Sequence, residues 1–139
     1  MTTITSNAVQ LGQELPALEL PPVTRTMLAL FAGASGDHNP IHIDVDFARR
    51  AGMPDVFAHG MLGMAWLGRL LTGWMPQSKL RKFDVRFQGI THLGNAITCR
   101  GKVVERLTHG GEDCVRVELS TTNQFGQTKI LGDAIVAVA

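Results

Sequence analysis

The sequence predicts an α+β domain in which an antiparallel sheet packs around one long helix. Three observations predict it. The segment Gly60–Trp74 carries apolar residues around nearly its whole circumference, so it reads as a helix buried on most sides. The segments after residue 80 alternate apolar and polar residues with the period of half-buried strands. Helical patterns precede strand patterns instead of alternating with them, which argues for an antiparallel sheet with segregated helices. The chain has 139 residues, 45% hydrophobic and 18% charged, enough apolar material for one core and too short for two ordinary domains. Residues 1–10 are expected to form a flexible N-terminal segment and residues 11–139 a single domain.

Residues 11–22 mix apolar positions with prolines and suggest an extended lead-in strand. Thr24 can cap a helix through Met27, Leu28, Leu30, Phe31 and Ala34, whose spacing gives one apolar face, and Gly36 would stop it. Asp37-His38-Asn39-Pro40 cannot continue a helix, because Pro40 pushes Asn39 out of the α region. Asp44 can cap a second short helix through Phe47 and Ala48, ended by Gly52. The principal helix, Gly60–Trp74, would run about 22 Å at 1.5 Å per residue. Phe83, Val85 and Phe87 alternate with charged neighbours, as do Ile97, Cys99, Gly101 and Val103, and then Val115, Val117 and Leu119. His109-Gly110-Gly111 and Phe125-Gly126-Gln127 supply turns, and the nearly continuous apolar run 129–138 reads as a central strand. About four strands linked by hairpins are expected.

Composition excludes several functions. Thirteen basic residues against 12 acidic ones give a net charge of +1, which offers no footprint for nucleic acid. Residues 1–10 carry neither a cationic nor an apolar leader, so no signal peptide is expected. The longest apolar stretch, 61–75, is too short to span a bilayer and is broken by Arg69. Cys99 and Cys114 fall in strand-like segments and are expected as reduced, half-buried thiols of a cytoplasmic protein. No second Cys or His stands at zinc-ligand spacing from either, so no metal is expected there.

The chemically informative stretch runs from Ala34 to Asp44: Ala-Ser-Gly-Asp-His-Asn-Pro-Ile-His-Ile-Asp. Proton transfer needs titratable groups on a rigid, non-helical backbone, and a proline-stiffened turn provides that. Asp37 and His42 stand five apart across the turn, so both can face one cavity and hold a water between them. The same residues also make an ordinary Asx turn, and His42 between two isoleucines also suits a core histidine bonded to a carbonyl. Ala58-His59-Gly60-Met61 opens the long helix, where unpaired N–H groups and partial positive charge collect. With no side chain at Gly60, a carbonyl oxygen could approach those donors, although Gly60 could equally just relieve crowding against the sheet.

Together these segments resemble the MaoC-like (R)-specific enoyl-CoA hydratase / (3R)-hydroxyacyl dehydratase family. Its signature, roughly aromatic-Ala-x-x-Ser-Gly-Asp-x-Asn-Pro-aliphatic-His-x-Asp, is matched nearly throughout from Phe31 to Asp44, and its Ala/Val-His-Gly-Met element by Ala58 to Met61. The resemblance covers most of the chain from about Leu11. It implies a hot-dog fold, an antiparallel sheet wrapped around the central helix, with dimers joining their sheets. It implies reversible hydration of trans-2-enoyl thioesters, carried on coenzyme A or acyl carrier protein, to (R)-3-hydroxyacyl thioesters. It makes Asp37 and His42 the catalytic acid/base pair and the Gly60 N–H an oxyanion donor. Asn39, Ser35 and His59 are expected to support them. No metal or redox cofactor is implied, because the thioester already acidifies the neighbouring C–H. The implied partners are the acyl thioester and other hot-dog subunits, as a homodimer, a dimer of dimers or a heteromer.

Several positions depart from the family pattern. The signature often begins with Tyr, but the chain has no tyrosine and Phe31 stands there. The family's Pro-x-x-x-Gly-Asp element is replaced by Gln88-Gly89-Ile90-Thr91-His92-Leu93-Gly94-Asn95, so the substrate-side loop is expected to differ. His38 adds a second imidazole inside the motif and is expected to face solvent. A hot-dog thioesterase is the rival activity, but such enzymes carry a carboxylate on or near the central helix, and Gly60–Trp74 contains no Asp or Glu. A subunit acting with a different hot-dog partner is a further alternative, in which this chain would be the active one. Met61, Met64, Trp66, Leu67 and Met75 could line an acyl tunnel, and Arg81, Lys82 and Arg86 could meet coenzyme A phosphates or a carrier protein; core packing and solubility explain them as simply.

Overall fold

A computed structural model describes residues 9–138. The expected flexible segment 1–10 lies mostly outside these residues. Of the two that fall inside, Val9 is buried, and its carbonyl accepts a hydrogen bond from Arg106 Nη1 at 3.2 Å. The elements run β1 (Leu18–Glu19), α1 (Arg25–Ser35), a 3-10 turn (Pro40–His42), α2 (Val45–Arg50), α3 (Gly60–Trp74), β2 (Leu80–Phe87), β3 (Thr98–His109), β4 (Glu112–Thr122) and β5 (Thr128–Ala137).

The helices follow from local chemistry. Thr24 Oγ1 accepts the Met27 N–H at the start of α1, and Gly36, at φ 76°, closes it with a hydrogen bond to the Ala32 carbonyl. Asp44 caps α2 by accepting from Asp46 and Phe47. The lead-in strand is much shorter than residues 11–22. Leu18 and Glu19 form the strand proper against β3, while Gly12, Gln13 and Leu15 add backbone hydrogen bonds to Gly101 and Val103 of β3; Pro16, Pro21 and Pro22, with no N–H to donate, interrupt the pairing.

The five strands form one antiparallel sheet in the order β1-β3-β4-β5-β2. The β3–β4 hairpin turns at Gly110 and Gly111, both at positive φ, and the β4–β5 hairpin turns through residues 123–127. The expectation that hairpins link all the strands is corrected at β2. It pairs with β5 from Phe83↔Ala134 to Phe87↔Ile130 and not with its sequence neighbour β3, so the 88–97 segment crosses over. The run 129–138 is central, as expected, with β4 on one side of β5 and β2 on the other. Bulges at Leu80/Lys82, Val103/Glu105 and Thr121/Thr122 add twist that helps the sheet curl.

Helix α3 packs on β3 and β4 through Leu62, Trp66, Leu67, Leu70 and Leu71. Full burial of one such side chain, as for Leu67, contributes about 1.5–3 kcal/mol. The helix is not buried on most sides. Met61 is 55% exposed and Ala65 is exposed as well, so one face stays open in the single chain. Cys99 and Cys114 are free and fully buried, not half-buried; burial pushes the Cys99 thiol up to about 12. No helix among the described residues is long and apolar enough to cross a membrane.

Candidate active site

The turn between α1 and α2 is built by side chains that bond the backbone two residues on. Ser35 Oγ accepts the Asp37 N–H at 3.1 Å, Asp37 Oδ1 accepts the Asn39 N–H at 3.2 Å, and Asn39 Oδ1 accepts the Ile41 N–H at 3.1 Å. Asn39 is also the cap of the 3-10 turn that ends at His42. Asx turns and a candidate site are therefore the same object here, and the turn residues hold Asp37 and His42 in place. Only Oδ1 of Asp37 serves the turn in these bonds. His38 lies exposed, as expected.

His42 is 9% exposed, and its Nδ1 lies 2.7 Å from the Phe57 carbonyl. A carbonyl can only accept, so Nδ1 carries the proton and Nε2 of the neutral ring holds a free lone pair. The expected carbonyl bond of a core histidine is therefore present, and it leaves the other ring nitrogen unbonded.

His59, the residue before α3, is 2% exposed. Its Nε2 lies 3.2 Å from the Asp37 carbonyl and donates to it. Its ring stacks on His42, with centroids 3.9 Å apart and planes 26° from parallel. Phe31 meets the other side of His59 edge-on at 4.9 Å, and Phe57 meets His42 edge-on at 5.1 Å. Four rings from α1, the 3-10 turn, the α2–α3 connection and the start of α3 thus form one column. Burial lowers the His59 pKa below 6.5; the hydrogen bond to Asp37 opposes this and the nearby His42 adds to it. His59 Nδ1 is buried with no hydrogen-bond partner. Asp37, His42 and His59 each offer one possible ligand atom, all within 4.8 Å of one another, so three donors for a metal ion would be at hand.

Two cavities flank the start of α3. One, of about 510 Å³, lies against Asp37 and Ser35 and is otherwise walled largely by Phe31, Met61, Met64 and Phe83. The other, of about 350 Å³, exposes His59 and Gly60 and is closed by Trp66, Phe87 and Ile130. The structure thus brings Asp37, His42 and His59 together and places Gly60 beside them, facing the second cavity. Gly60 opens α3, where the first N–H groups have no carbonyl one turn back. A Cβ there would stand 3.0 Å from the Phe87 ring, so glycine relieves crowding against the sheet. Of the suggested tunnel residues, Met61, Met64 and Trp66 line the cavities while Leu67 and Met75 belong to the core. Arg81 is paired with Glu112, and Lys82 with Asp84.

Sequence reasoning missed the Phe57 carbonyl and the Phe57 and Phe87 rings, while Phe31 and the 88–95 segment stand out in the sequence as departures from the family pattern. A backbone carbonyl carries no residue-type signal. The phenylalanines read as ordinary core.

With this geometry in view, the comparisons are specific. The family model of the MaoC like domain matches residues 6–124. The chain belongs to the MaoC-like domain family. Among solved structures, this MaoC-like chain is similar to the unliganded R-hydratase PhaJ1 from Pseudomonas aeruginosa, at TM-score 0.85 and 28% identity over 97% of this chain and 86% of that one. It is 40% identical over 60 residues to the peroxisomal enoyl-CoA hydratase 2 of Arabidopsis thaliana, covering 42% of this chain and 19% of the relative. It is 40% identical over 63 residues to the fatty acid synthase beta subunit hexB of Dothistroma septosporum, covering 43% of this chain. The MaoC-like chain spans only 3% of that large subunit's length. The hot-dog fold expected of the family is the fold observed.

Proposed function

We propose that this MaoC-like domain catalyses the reversible hydration of trans-2-enoyl thioesters, carried on coenzyme A or acyl carrier protein, to (R)-3-hydroxyacyl thioesters. The observation that carries the reading is the arrangement of Asp37 and His42 on one stiffened turn. His42 Nδ1 is committed to the Phe57 carbonyl, which leaves Nε2 free, and a ring nitrogen of His42 and a carboxylate oxygen of Asp37 lie within 4.8 Å of each other. Such a pair can hold one water, take a proton from it as its oxygen bonds to the β-carbon, and return a proton to the α-carbon. The negative charge that develops on the thioester oxygen is met by the Gly60 N–H at the start of α3. Dehydration is the same path in reverse, and the likeness to the two hydratases named above supports the assignment.

The acid-free α3 counts against the thioesterase alternative. The open outer edge of β2, with Phe87 53% exposed and Met61 55% exposed near it, supports pairing with a second hot-dog chain, the same or different. Two unpaired thiols suit a cytoplasmic setting.

The test is a spectrophotometric assay across enoyl-CoA chain lengths, following loss of the conjugated thioester absorbance. Release of free thiol without hydration would replace this reading with thioester hydrolysis.

A further inference from the structure

We propose that His59 is a positioning residue for the Asp37–His42 pair, acting through its hydrogen bond to the Asp37 carbonyl. The inference rests on the hydratase reading and gives His59 a defined role within it.

The argument starts from what a side chain at this position must do. It precedes α3, where Ser, Thr, Asp or Asn would normally bond a free N–H of the first turn. His59 makes no such cap. Its ring turns instead toward the α1–α2 connection, where Nε2 donates 3.2 Å to the carbonyl of Asp37 itself. Asp37 has no other tie to α3 in the hydrogen bonds described; Ser35 and Asn39 bond it only from within its own turn. The His59 bond thus joins Asp37 itself to the residue that opens α3, beside the tie that His42 makes from the same turn to Phe57.

The second observation is the cost. With Nε2 holding the proton, Nδ1 is a bare acceptor, buried and unpartnered. Leaving a buried polar atom unsatisfied is unfavourable. A phenylalanine would fill the ring column between Phe31 and His42 without that cost. The imidazole is explained by what its other nitrogen does.

The third observation is the stack. His59 covers one face of His42 while Phe57 closes the side with an edge contact and a carbonyl bond. Ring orientation of His42 is therefore set by three contacts, and displacement of His59 would loosen one of them. Burial favours the neutral form of His59, which leaves His42 without a charged neighbour in the stack when it takes up a proton.

Two substitutions separate the parts of this role. His59→Phe keeps a ring in the column and removes the donor. His59→Gln removes the ring and places an amide nitrogen near the position of Nε2. Hydration of crotonyl-CoA by H59F is expected to fall in kcat by about tenfold or more with KM held within about twofold, because a misplaced acid/base pair impairs the transition state and not ground-state binding. H59Q is expected to recover most of that loss. Wild-type kcat in folded H59F, a loss residing in KM, or H59Q as impaired as H59F would each overturn the proposal.

A measurement on the unmodified chain separates this proposal from the hydratase reading and does not depend on the variants folding. Nitrogen-detected NMR of wild-type protein at neutral pH should find His59 neutral and protonated at Nε2. A neutral ring protonated at Nδ1 overturns the positioning role even where hydration is robust. The expected tautomer in a chain that hydrates no enoyl thioester would sustain the positioning of Asp37 and defeat the hydratase reading alone.

Discussion

The imidazole of His42 lies on that of His59, ring centroids 3.9 Å apart and planes 26° from parallel. Each ring has one nitrogen tied to a backbone carbonyl, His42 to Phe57 and His59 to Asp37. The two bonds cross-link two parts of the chain, the turn that holds Asp37 and His42 and the segment from Phe57 to His59. They also fix which nitrogen of each ring is free, and a proton-transfer site needs that settled before substrate arrives.

Removing either member of the acid/base pair should abolish most turnover without unfolding the domain. Asp37→Asn and His42→Ala are each expected to lower crotonyl-CoA hydration by about a hundredfold or more. Thermal melts monitored by circular dichroism should show both variants folded. Near-wild-type turnover in either folded variant would remove the proposed mechanism.

Asn39 caps the 3-10 turn that ends at His42. Asn39→Ala loses the acceptor for the Ile41 N–H and should destabilise the domain by about 1 kcal/mol. Asn39→Asp keeps a capping oxygen and should recover that stability. Denaturant titration of the two variants reads the difference directly, and equal midpoints would show that the cap contributes nothing.

Gly132 in β5 is where the fold tolerates a side chain least. A Cβ there would stand 2.3 Å from the Asp84 carbonyl oxygen and 3.0 Å from Val85 Cα, so backbone would have to move. Gly132→Ala should cost about 3 kcal/mol by forcing β2 away from β5. Gly63→Ala meets only the flexible tip of Ile130 and should be milder. The comparison is a pair of melting curves, and equal losses would refute the distinction.

Stability should fall on acidification through His59. Its folded-state pKa is lowered from 6.5, chiefly by burial, so the unfolded chain binds the extra proton first as pH drops. The stabilisation is fully present above pH 6.5 and is lost as pH falls from there through the lowered folded value. Melting temperature followed from above to below this window should decline less steeply in His59→Phe than in wild type. Parallel curves would place the acid sensitivity elsewhere.

Much of this molecule is written in short-range chemistry. Thr24 and Gly36 bound α1, Asp44 caps α2, Gly110-Gly111 turns the β3–β4 hairpin, and Asp37 and Asn39 curl the connecting turn. Each depends on partners a few residues away, so the residue types suffice. The alternating pattern of β2 identified a strand for the same reason, since period two is a local property. It could not say that β2 would lie against β5 and leave an open edge, because strand order is decided by which faces bury together across the whole chain. The uniformly apolar α3 likewise concealed that one of its faces stays open beside the Asp37 cavity.

The motif alone placed Asp37 and His42 near one another and named Gly60 beside the helix start. Only the tertiary structure brought His59 onto His42, set Phe31 and Phe57 at the ends of the ring column, and supplied the Phe57 carbonyl. Those contacts join residues 15 to 28 positions apart. The sequence determined which groups could carry protons; packing determined where those groups point and which of their nitrogens is free.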